Sequence, residues 1–316
     1  MLRVLVHRVI GAAATLAAAS VVIFVVLEVL PGDPALVILG EGARPDTLAA
    51  LRAELGLDAP ALLRYANWIG GLALGDLGES LTYGTPVAAL LMERSVVTLP
   101  LAVLALVLAI PLGLILGTTA ALLRGRTADH LLMGLGHLGL ALPSFWIGIL
   151  LILVFAVLLD LGAAGGFPGW GAGLLAAMGA LVLPAAALAI PEAAIIARVT
   201  RGAVLDTITA DFVRVARAKG LSRAQVVRGH IAAHAALPVI TVAGLQFGVL
   251  MAGAILVEKV FAIAGLGDLL LTAAGQRDLP VIKGAVLYIC AIVIAANLLV
   301  DVIQAAIDPR PARARP

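Results

Sequence analysis

The residues best suited to chemistry in this sequence lie in one basic stretch, 211–238, which is flanked on both sides by strongly apolar chain. Cationic side chains at this density can bind phosphate groups of nucleic acids or lipids, or an acidic protein surface. The two histidines could share a helix face, but no third ligand accompanies them, so no metal site is predicted. The basic residues and histidines are Arg214, Arg217, Lys219, Arg223, Arg228, His230 and His234.

This stretch cannot cross a membrane. Each Lys or Arg at the centre of a membrane helix costs about 2.5–3.5 kcal/mol. Its five cations therefore place it in water or at the lipid headgroups.

The local pattern of the stretch predicts helix, turn, helix. Gly220 is suited to end the first helix in a left-handed conformation. Ser222 and Gln225 have the spacing of a capping box that starts the second helix. An apolar stripe along the first helix is predicted to contain Val204, Ile208, Phe212 and Val215.

Three interpretations of the helix pair compete. It could enter a DNA groove, but such units belong to soluble domains, whereas this one leads into an apolar run at both ends. It could be a positively charged loop that only fixes membrane orientation. It could be a rigid docking element for a partner. We favour docking, because an orienting loop needs neither helices nor a cap, and we expect no nucleic-acid partner.

The composition is that of a membrane protein. The 316 residues are 62% hydrophobic and 13% charged, whereas soluble domains are about 45–50% apolar and about 25% charged. The single Cys290 excludes a disulfide framework within the chain and a cysteine zinc site.

We predict an all-α membrane protein with six transmembrane helices, because about 20 apolar residues cross the hydrocarbon layer. The first apolar run is too long for the core of a cleaved signal peptide and is interpreted as an anchor. The predicted spans are Val9–Leu30, Ser95–Leu123, Leu131–Leu159, Leu174–Ala197, Ala235–Val257 and Gly284–Ala306.

The distribution of basic residues predicts cytoplasmic N- and C-termini. With that orientation, 14 of the 21 Lys and Arg residues lie on the cytoplasmic side. The expected organisation is an N-terminal anchor helix (1–30), an extracytoplasmic segment (31–94), a five-helix core (95–308) and a basic cytoplasmic tail (309–316). The core includes the cytoplasmic loop 198–234, between helices four and five.

The segment 31–94 is too long to be a simple connection, and we expect a small extracytoplasmic subdomain there. Its run PDTLAALRAELGL predicts a helix capped by Asp46 and ended by Gly56. A loop that packs on the membrane rim without a partner is the alternative.

Polar residues inside the apolar runs are candidates for function. Glu192, Gln246 and Asp301 are the candidates for a substrate pathway, and Glu28 lies near the end of the first span. Glu192 could instead lie near the cytoplasmic interface, and Asp301 could be a structural partner. The G-x-x-x-G pairs at 113–117 and 244–248 favour close helix packing.

No P-loop motif G-x-x-x-x-G-K-[ST] is present, so no ATPase site is expected on this chain. We see no nucleophile and base arrangement either, and we predict a protein that is not an enzyme by itself. No cofactor is expected to bind this chain.

Seven motifs in order resemble the permease subunits of ABC importers, specifically those for dipeptides, oligopeptides, nickel and glutathione. ARAKGL, followed by a histidine and Leu237-Pro238, is similar to their EAA loop. Arg214 stands where the EAA motif has an acidic residue, as is usual in the peptide branch. The motifs are LPGDPA (30–35), YANWIGGLALGDLGESL (65–81), ALPSFWIGILLI (141–152), VLPAAALAI (182–190), RVTRGAVLDTITADFVRVARAKGL (198–221), VEKVFAIAGLGDLL (257–270) and NLLVDVIQAAIDPR (297–310).

The resemblance implies a transport mechanism in the bacterial cytoplasmic (inner) membrane. A second homologous permease would complete the pathway, and two cytoplasmic ATPases, which bind ATP and magnesium, would pull on the loops. An extracytoplasmic binding protein would deliver substrate, and lipids would surround the spans. The coupling helix that docks the ATPase would contain Asp211, Arg214, Arg217, Ala218, Lys219, Gly220, Leu221 and Ser222.

The main alternative is a proton-coupled secondary transporter that acts without an ATPase. It would use Glu28, Glu192 or Asp301 as proton relays and would need no docking loop. Related halves are expected in many such folds, and the sequence shows no clear internal repeat.

Overall fold

The computed structural model describes residues 2–29, 33–40, 42–161, 165–226, 229 and 232–307. Within these ranges the chain is helical and forms no β-strand beyond an isolated bridge between Glu79 and Pro86. The helices are α1 (Leu2–Val29), α2 (Pro34–Leu39), α3 (Pro45–Glu54), α4 (Ala61–Ala73), α5 (Val87–Leu122), α6 (Thr127–Ala141), α7 (Ser144–Leu151), α8 (Leu174–Ile208), α9 (Asp211–Ala218), α10 (Arg223–Val226), α11 (Ala232–Val260), α12 (Leu266–Gln276) and α13 (Leu279–Ile307).

Five helices are long and apolar enough to cross a membrane, and a bent pair makes a sixth candidate. Their outward side chains are largely apolar and exposed, which fits contact with lipid or with other membrane subunits. The five candidate spans are Val6–Glu28, Val87–Leu122, Leu174–Ile208, Pro238–Val260 and Leu279–Gln304. The all-α membrane fold is therefore confirmed.

The third predicted span is not one straight helix. α6 and the helical segment 144–158 meet at an angle of 102°. The break falls at Leu142 and Pro143, where Leu142 is extended with ψ 129°. Proline disfavours the helical conformation of the residue before it, which explains the bend. α7 continues as a π-helix over Ile152–Leu158.

Two predicted spans are shorter than the corresponding helices of the structure. α5 begins at Val87 rather than Ser95, and α8 continues past Ala197 to Ile208. At about 1.5 Å per residue α8 is roughly 52 Å long, which exceeds the roughly 30 Å hydrocarbon layer. Its C-terminal turns, which carry Arg198 and Arg201, can therefore reach beyond the hydrocarbon.

One compact unit contains residues 99–263 and 295–316. In it α8 packs against α6, α7 and α11. Gly113 and Gly117 of α5 lie directly against α8: a Cβ at Gly113 would be 2.6 Å from the Cβ of Ile196, and one at Gly117 would be 2.7 Å from the Cβ of Thr200. The predicted packing role of this G-x-x-x-G pair is confirmed.

The other unit contains residues 1–98 and 264–294. In it α4 packs on α1 through Phe24, Tyr65 and Trp68, whose ring centroids lie 5.3–6.4 Å apart. Arg64 forms an ion pair with Glu28, and the Lys283 ammonium lies 5.4 Å from the centroid of the Trp68 ring.

A buried carboxylate ties the loop before α5 to the start of α13. Asp278 is fully buried and accepts hydrogen bonds from the Ser80 hydroxyl and from the Leu81 and Thr82 N–H groups, the latter two at 3.2 and 3.1 Å. Charge-assisted bonds of this kind are stronger than neutral ones. These bonds anchor residues 80–82 of the loop to Asp278.

The predicted helix after residue 44 forms, but its cap is different. Arg44 occupies the N-cap position without a side-chain cap bond, and Asp46 lies in the first turn of α3, where it pairs with Arg44 at 3.1 Å. The prediction that Asp46 caps this helix is wrong, because the helix starts at Pro45, two residues earlier than an Asp46 cap would place it. Gly56 follows the helix with φ +65°.

Candidate functional site

The basic stretch forms a compact helix pair at the end of α8. The chain leaves α8 at Ile208, turns through Thr209 and Ala210, and enters α9 at Asp211. The Val213 and Arg214 N–H groups donate to the Ala210 carbonyl at 3.0 and 3.3 Å. Backbone hydrogen bonds thus connect α9 to the turn that follows α8.

The inward face of α9 is formed by Val213 and Ala216. Both are buried in an apolar cluster with Ala121, Val204 and Val226. This cluster joins α9 and α10 to α5 and α8, so the helix pair is a packed part of its unit rather than a free loop.

The predicted apolar stripe is partly wrong. Phe212 and Val215 are 40% and 53% exposed, whereas Val204 is buried. The stripe assumed one continuous helix, but the break at Thr209 and Ala210 changes the helical register, so α9 presents different positions inward. Two apolar side chains therefore remain on the outer surface.

Gly220 ends α9 as predicted. Its φ is +84°, in the left-handed region that costs residues with a Cβ about 1–2 kcal/mol. The Leu221 N–H donates back to the Ala216 carbonyl at 3.3 Å, and Leu221 packs on the buried cluster. Together these form a Schellman C-cap with its hydrophobic contact.

The predicted capping box at α10 is present. The Ser222 N–H donates to Gln225 Oε1 at 2.9 Å, and the Gln225 N–H donates to Ser222 Oγ at 3.4 Å. The reciprocal bonds satisfy two backbone donors that the helix start would otherwise leave free. The turn between α9 and α10 is therefore fixed by both neighbouring helices.

The outer surface of the helix pair combines charge with apolar area. Arg214 lies 3.5 Å from Asp211, and both are largely exposed. The backbone of Arg217 is in α9, while its side chain, Arg228 and His230 lie outside the described residues, as does the side chain of His234. The exposed residues are Asp211, Phe212, Arg214, Val215, Ala218, Lys219, Gly220 and Ser222.

An ion pair that no local sequence pattern predicts lies between α6 and α8. Arg201 Nε and one terminal nitrogen donate to the two carboxylate oxygens of Asp129, each at 2.8 Å, and the Gly125 N–H adds a bond at 3.1 Å. Asp129 is buried. The two residues are 72 positions apart in the sequence. The only sequence signal at this site is that Asp129 is a single acidic residue close to Arg124, Arg126 and His130.

Glu192 and Gln246, two of the three predicted pathway residues, are brought together. Glu192 is buried in α8 and accepts a hydrogen bond from the Gln246 amide of α11. Asp301 is half-buried on α13 and takes no part in that bond. α13 meets α11 where the Gln304 amide donates to the Thr241 hydroxyl at 2.9 Å.

Two family models match the chain. Residues 109–313 match the binding-protein-dependent transport system inner membrane component, and residues 1–102 match the N-terminal part of such a membrane component. The first match contains α6 to α11 and therefore the entire helix pair.

Similar proteins cover nearly the whole length. The dipeptide transport system permease protein DppB of Escherichia coli K12 is 38% identical over 91% of this chain and 92% of its own. The glutathione transport system permease protein GsiC of Escherichia coli O6:H1 is 40% identical over 98% of both chains. A protein of Brucella abortus named as a peptide transport system permease is 38% identical over 98% of this chain and 99% of its own.

A solved structure has a similar fold. A chain of the MetNI methionine ABC transporter superimposes with a TM-score of 0.58 at 18% identity, and the match covers 70% of this chain and 97% of that chain. ATP hydrolysis in such importers is carried out by partner subunits. These findings favour the ATP-driven importer over the proton-coupled transporter. The chain belongs to the family of binding-protein-dependent transport system inner membrane components and is a permease subunit of an ABC importer.

Proposed function

We propose that this subunit forms half of a pathway for peptides or related small solutes and receives movement from cytoplasmic ATPases through α9 and α10. The observation that carries the proposal is the construction of the helix pair. It has a buried inner face, a cap at each side of its turn and an exposed outer face of mixed chemistry. A rigid element of this kind can transmit a rigid-body movement to the spans.

The exposed residues of α9 are typical of a surface that binds a protein partner rather than of one that only contacts water. Phe212 and Val215 are exposed between Asp211, Arg214 and Lys219. Aromatic and arginine side chains are enriched among the residues that dominate binding energy at protein interfaces. Acidic groups on an ATPase would pair with the cations, while an apolar recess would cover Phe212.

Glu192, Gln246 and Asp301 remain our proposed pathway residues. Burying a glutamate between membrane-spanning helices is costly, and ionisable residues in such positions are candidates for function. The Glu192 carboxylate and the Gln246 amide together offer acceptors and a donor that suit the polar groups of a peptide. The names of the relatives support peptides, dipeptides or glutathione as the substrate class.

The proposed assembly contains this chain, a second homologous permease, two ATPases that hold ATP and magnesium, and an extracytoplasmic binding protein. The chain spans the inner membrane with both termini in the cytoplasm. In that orientation α9 and α10 face the ATPases, and the segment 31–94 faces the binding protein. The predicted tail 309–316 lies outside the described residues.

Substitution Phe212→Asp tests the docking surface. The residue is exposed, so the fold is expected to persist while the apolar contact with the ATPase is lost. Leu74→Asp is the matched control, because Leu74 is also an exposed apolar residue but lies outside the helix pair. Both variants are purified in mild detergent with their partners, and the copurifying ATPase is quantified.

We expect Phe212→Asp to lower the amount of bound ATPase by roughly tenfold or more. This corresponds to a loss of about 1.4–2 kcal/mol of binding free energy, which is typical of removing one anchor residue from an interface. Leu74→Asp should retain it. Undiminished ATPase on a well-folded Phe212→Asp variant would contradict the proposal.

A further inference from the structure

A cavity of about 280 Å³ lies in the groove between α6 and α8, and the functions described above do not use it. It belongs to one compact unit of the chain. Five of the eight residues that line it are polar or charged, which is unusual for a groove between two membrane helices. The residues that matter here are Asp129, His130, Met133, His137, Arg198 and Arg201.

The cavity carries net positive charge. Arg201 and Asp129 neutralise each other through their two hydrogen bonds of 2.8 Å. Arg198 lies one turn earlier on α8, is exposed, and forms no ion pair with any residue that the structure describes. Its guanidinium is therefore available to an anion.

The two histidines add hydrogen-bond donors. His130 and His137 are seven residues apart on α6 and thus lie on the same side of that helix, and both are exposed. Between them Met133 and, across the groove, Ala194 form an apolar wall. A ligand in this groove meets donors and an apolar surface within two helical turns.

The position of the cavity points to the membrane surface. Thr127 starts α6 and Ile208 ends α8, so Asp129 and Arg201 lie close to the ends of their helices. α6 also exposes Leu131, Leu135 and Leu138. One side of α6 is therefore not covered by this chain, and the groove between α6 and α8 is accessible from that side.

We propose that this cavity binds the phosphate group of an anionic phospholipid. The Arg198 guanidinium would form charge-assisted bonds with phosphate oxygens, and His130 and His137 would donate further ones. Basic pockets between membrane helices are suited to acidic lipid headgroups. The apolar wall explains why a lipid fits better than a free phosphate ester, which needs no such surface.

A bound lipid would join α6 to α8 beside the Asp129–Arg201 ion pair, just before α8 leads into α9. If the proposed docking function holds, anionic lipid would stiffen the attachment of the helix pair. The binding itself does not depend on that function and is tested without the partner subunits.

The test uses the full-length chain in neutral detergent, titrated with phosphatidylglycerol and followed by native mass spectrometry. Phosphatidylcholine and glycerol 3-phosphate are titrated in parallel, the first without net charge and the second without acyl chains. Arg198→Gln is compared with Arg124→Gln, which removes the same charge from an exposed arginine outside the cavity.

We expect phosphatidylglycerol to bind more tightly than either comparison ligand. Arg198→Gln should weaken that binding by roughly fivefold or more, while Arg124→Gln should leave it unchanged. The double variant His130→Gln and His137→Gln should also weaken binding, which keeps the test valid if Arg198→Gln fails to fold.

Three results would overturn the proposal. Equal weakening by Arg198→Gln and Arg124→Gln would show general attraction to charge rather than a site. Glycerol 3-phosphate that binds as tightly as phosphatidylglycerol would assign the cavity to a free phosphate ester. Undiminished lipid binding in both the Arg198 variant and the histidine variant would show that the lipid binds elsewhere.

Discussion

At the scale of single residues, the Asp129–Arg201 ion pair is a charged contact close to the helix pair in the chain. It joins the start of α6 to the last part of α8, from which α9 follows after a two-residue turn. Removing one partner of a buried pair costs more than the pair itself contributes, because the remaining charge loses its compensation. Arg201 is partly exposed, so water can moderate that cost.

We expect Asp129→Asn to lower the thermal unfolding temperature of the purified chain. The neutral amide cannot form two charge-assisted bonds with Arg201, although it nearly preserves the size of the side chain. Asp46→Asn is the control, since its ion pair with Arg44 is largely exposed and such pairs contribute little. Equal unfolding temperatures for wild type and Asp129→Asn, measured by intrinsic fluorescence in detergent, would contradict this role.

At the scale of helices, α5 and α8 lie in close contact at Gly113 and Gly117. A Cβ at Gly113 would lie 2.6 Å from the Ile196 Cβ and 2.9 Å from the Ala193 carbonyl oxygen. Both distances are shorter than real Cβ atoms tolerate. Neither neighbour is the flexible end of a side chain, so a larger residue must push the helices apart.

Gly113→Ala is therefore expected to destabilise the protein by about 2 kcal/mol, the cost of overpacking a tight interface. Gly134→Ala makes the same change in α6, where no heavy atom lies within 4 Å, and it should leave stability unchanged or raise it slightly. Denaturant unfolding in micelles measures both. A Gly113 variant as stable as the Gly134 variant would disprove the close packing.

Local chemistry explains which elements could be predicted. The left-handed Gly220 and the Ser222–Gln225 capping box depend on residues within three positions, and both formed as expected. The inward face of α9 differs from the prediction, because the apolar pattern of the sequence does not show the break in the helix at 209–210. Pro143 disfavours a helical conformation at Leu142, whereas the angle of 102° between the two helices depends on packing.

At the scale of the whole molecule, long-range pairs were invisible to the sequence. Ser80 and Asp278 are 198 positions apart, and Asp129 and Arg201 are 72 apart. Such contacts depend on how the spans are arranged. By contrast, the composition and the long apolar runs indicated a multi-pass membrane protein, since most of the charged residues lie in the segments between those runs.

Membrane orientation is tested with single cysteines in a Cys290→Ala background, which removes the chain's own thiol. Asp58→Cys and Lys219→Cys replace two exposed residues. In right-side-out vesicles an impermeant maleimide should label position 58 but not 219, because the basic segments are expected in the cytoplasm. Permeabilised vesicles should show labelling at both, and the opposite pattern in sealed vesicles would reverse the proposed topology.

The proposal that the ATPase docks on α9 is tested most directly with a photo-crosslinking amino acid at position 212. The experiment is done in native membranes that contain the partner proteins. The same amino acid at position 74 is the control. Illumination should attach position 212, and not position 74, to a protein with a P-loop ATPase motif, as identified by mass spectrometry. If position 212 attaches only to lipid or to nothing, α9 is not the surface on which the ATPase docks.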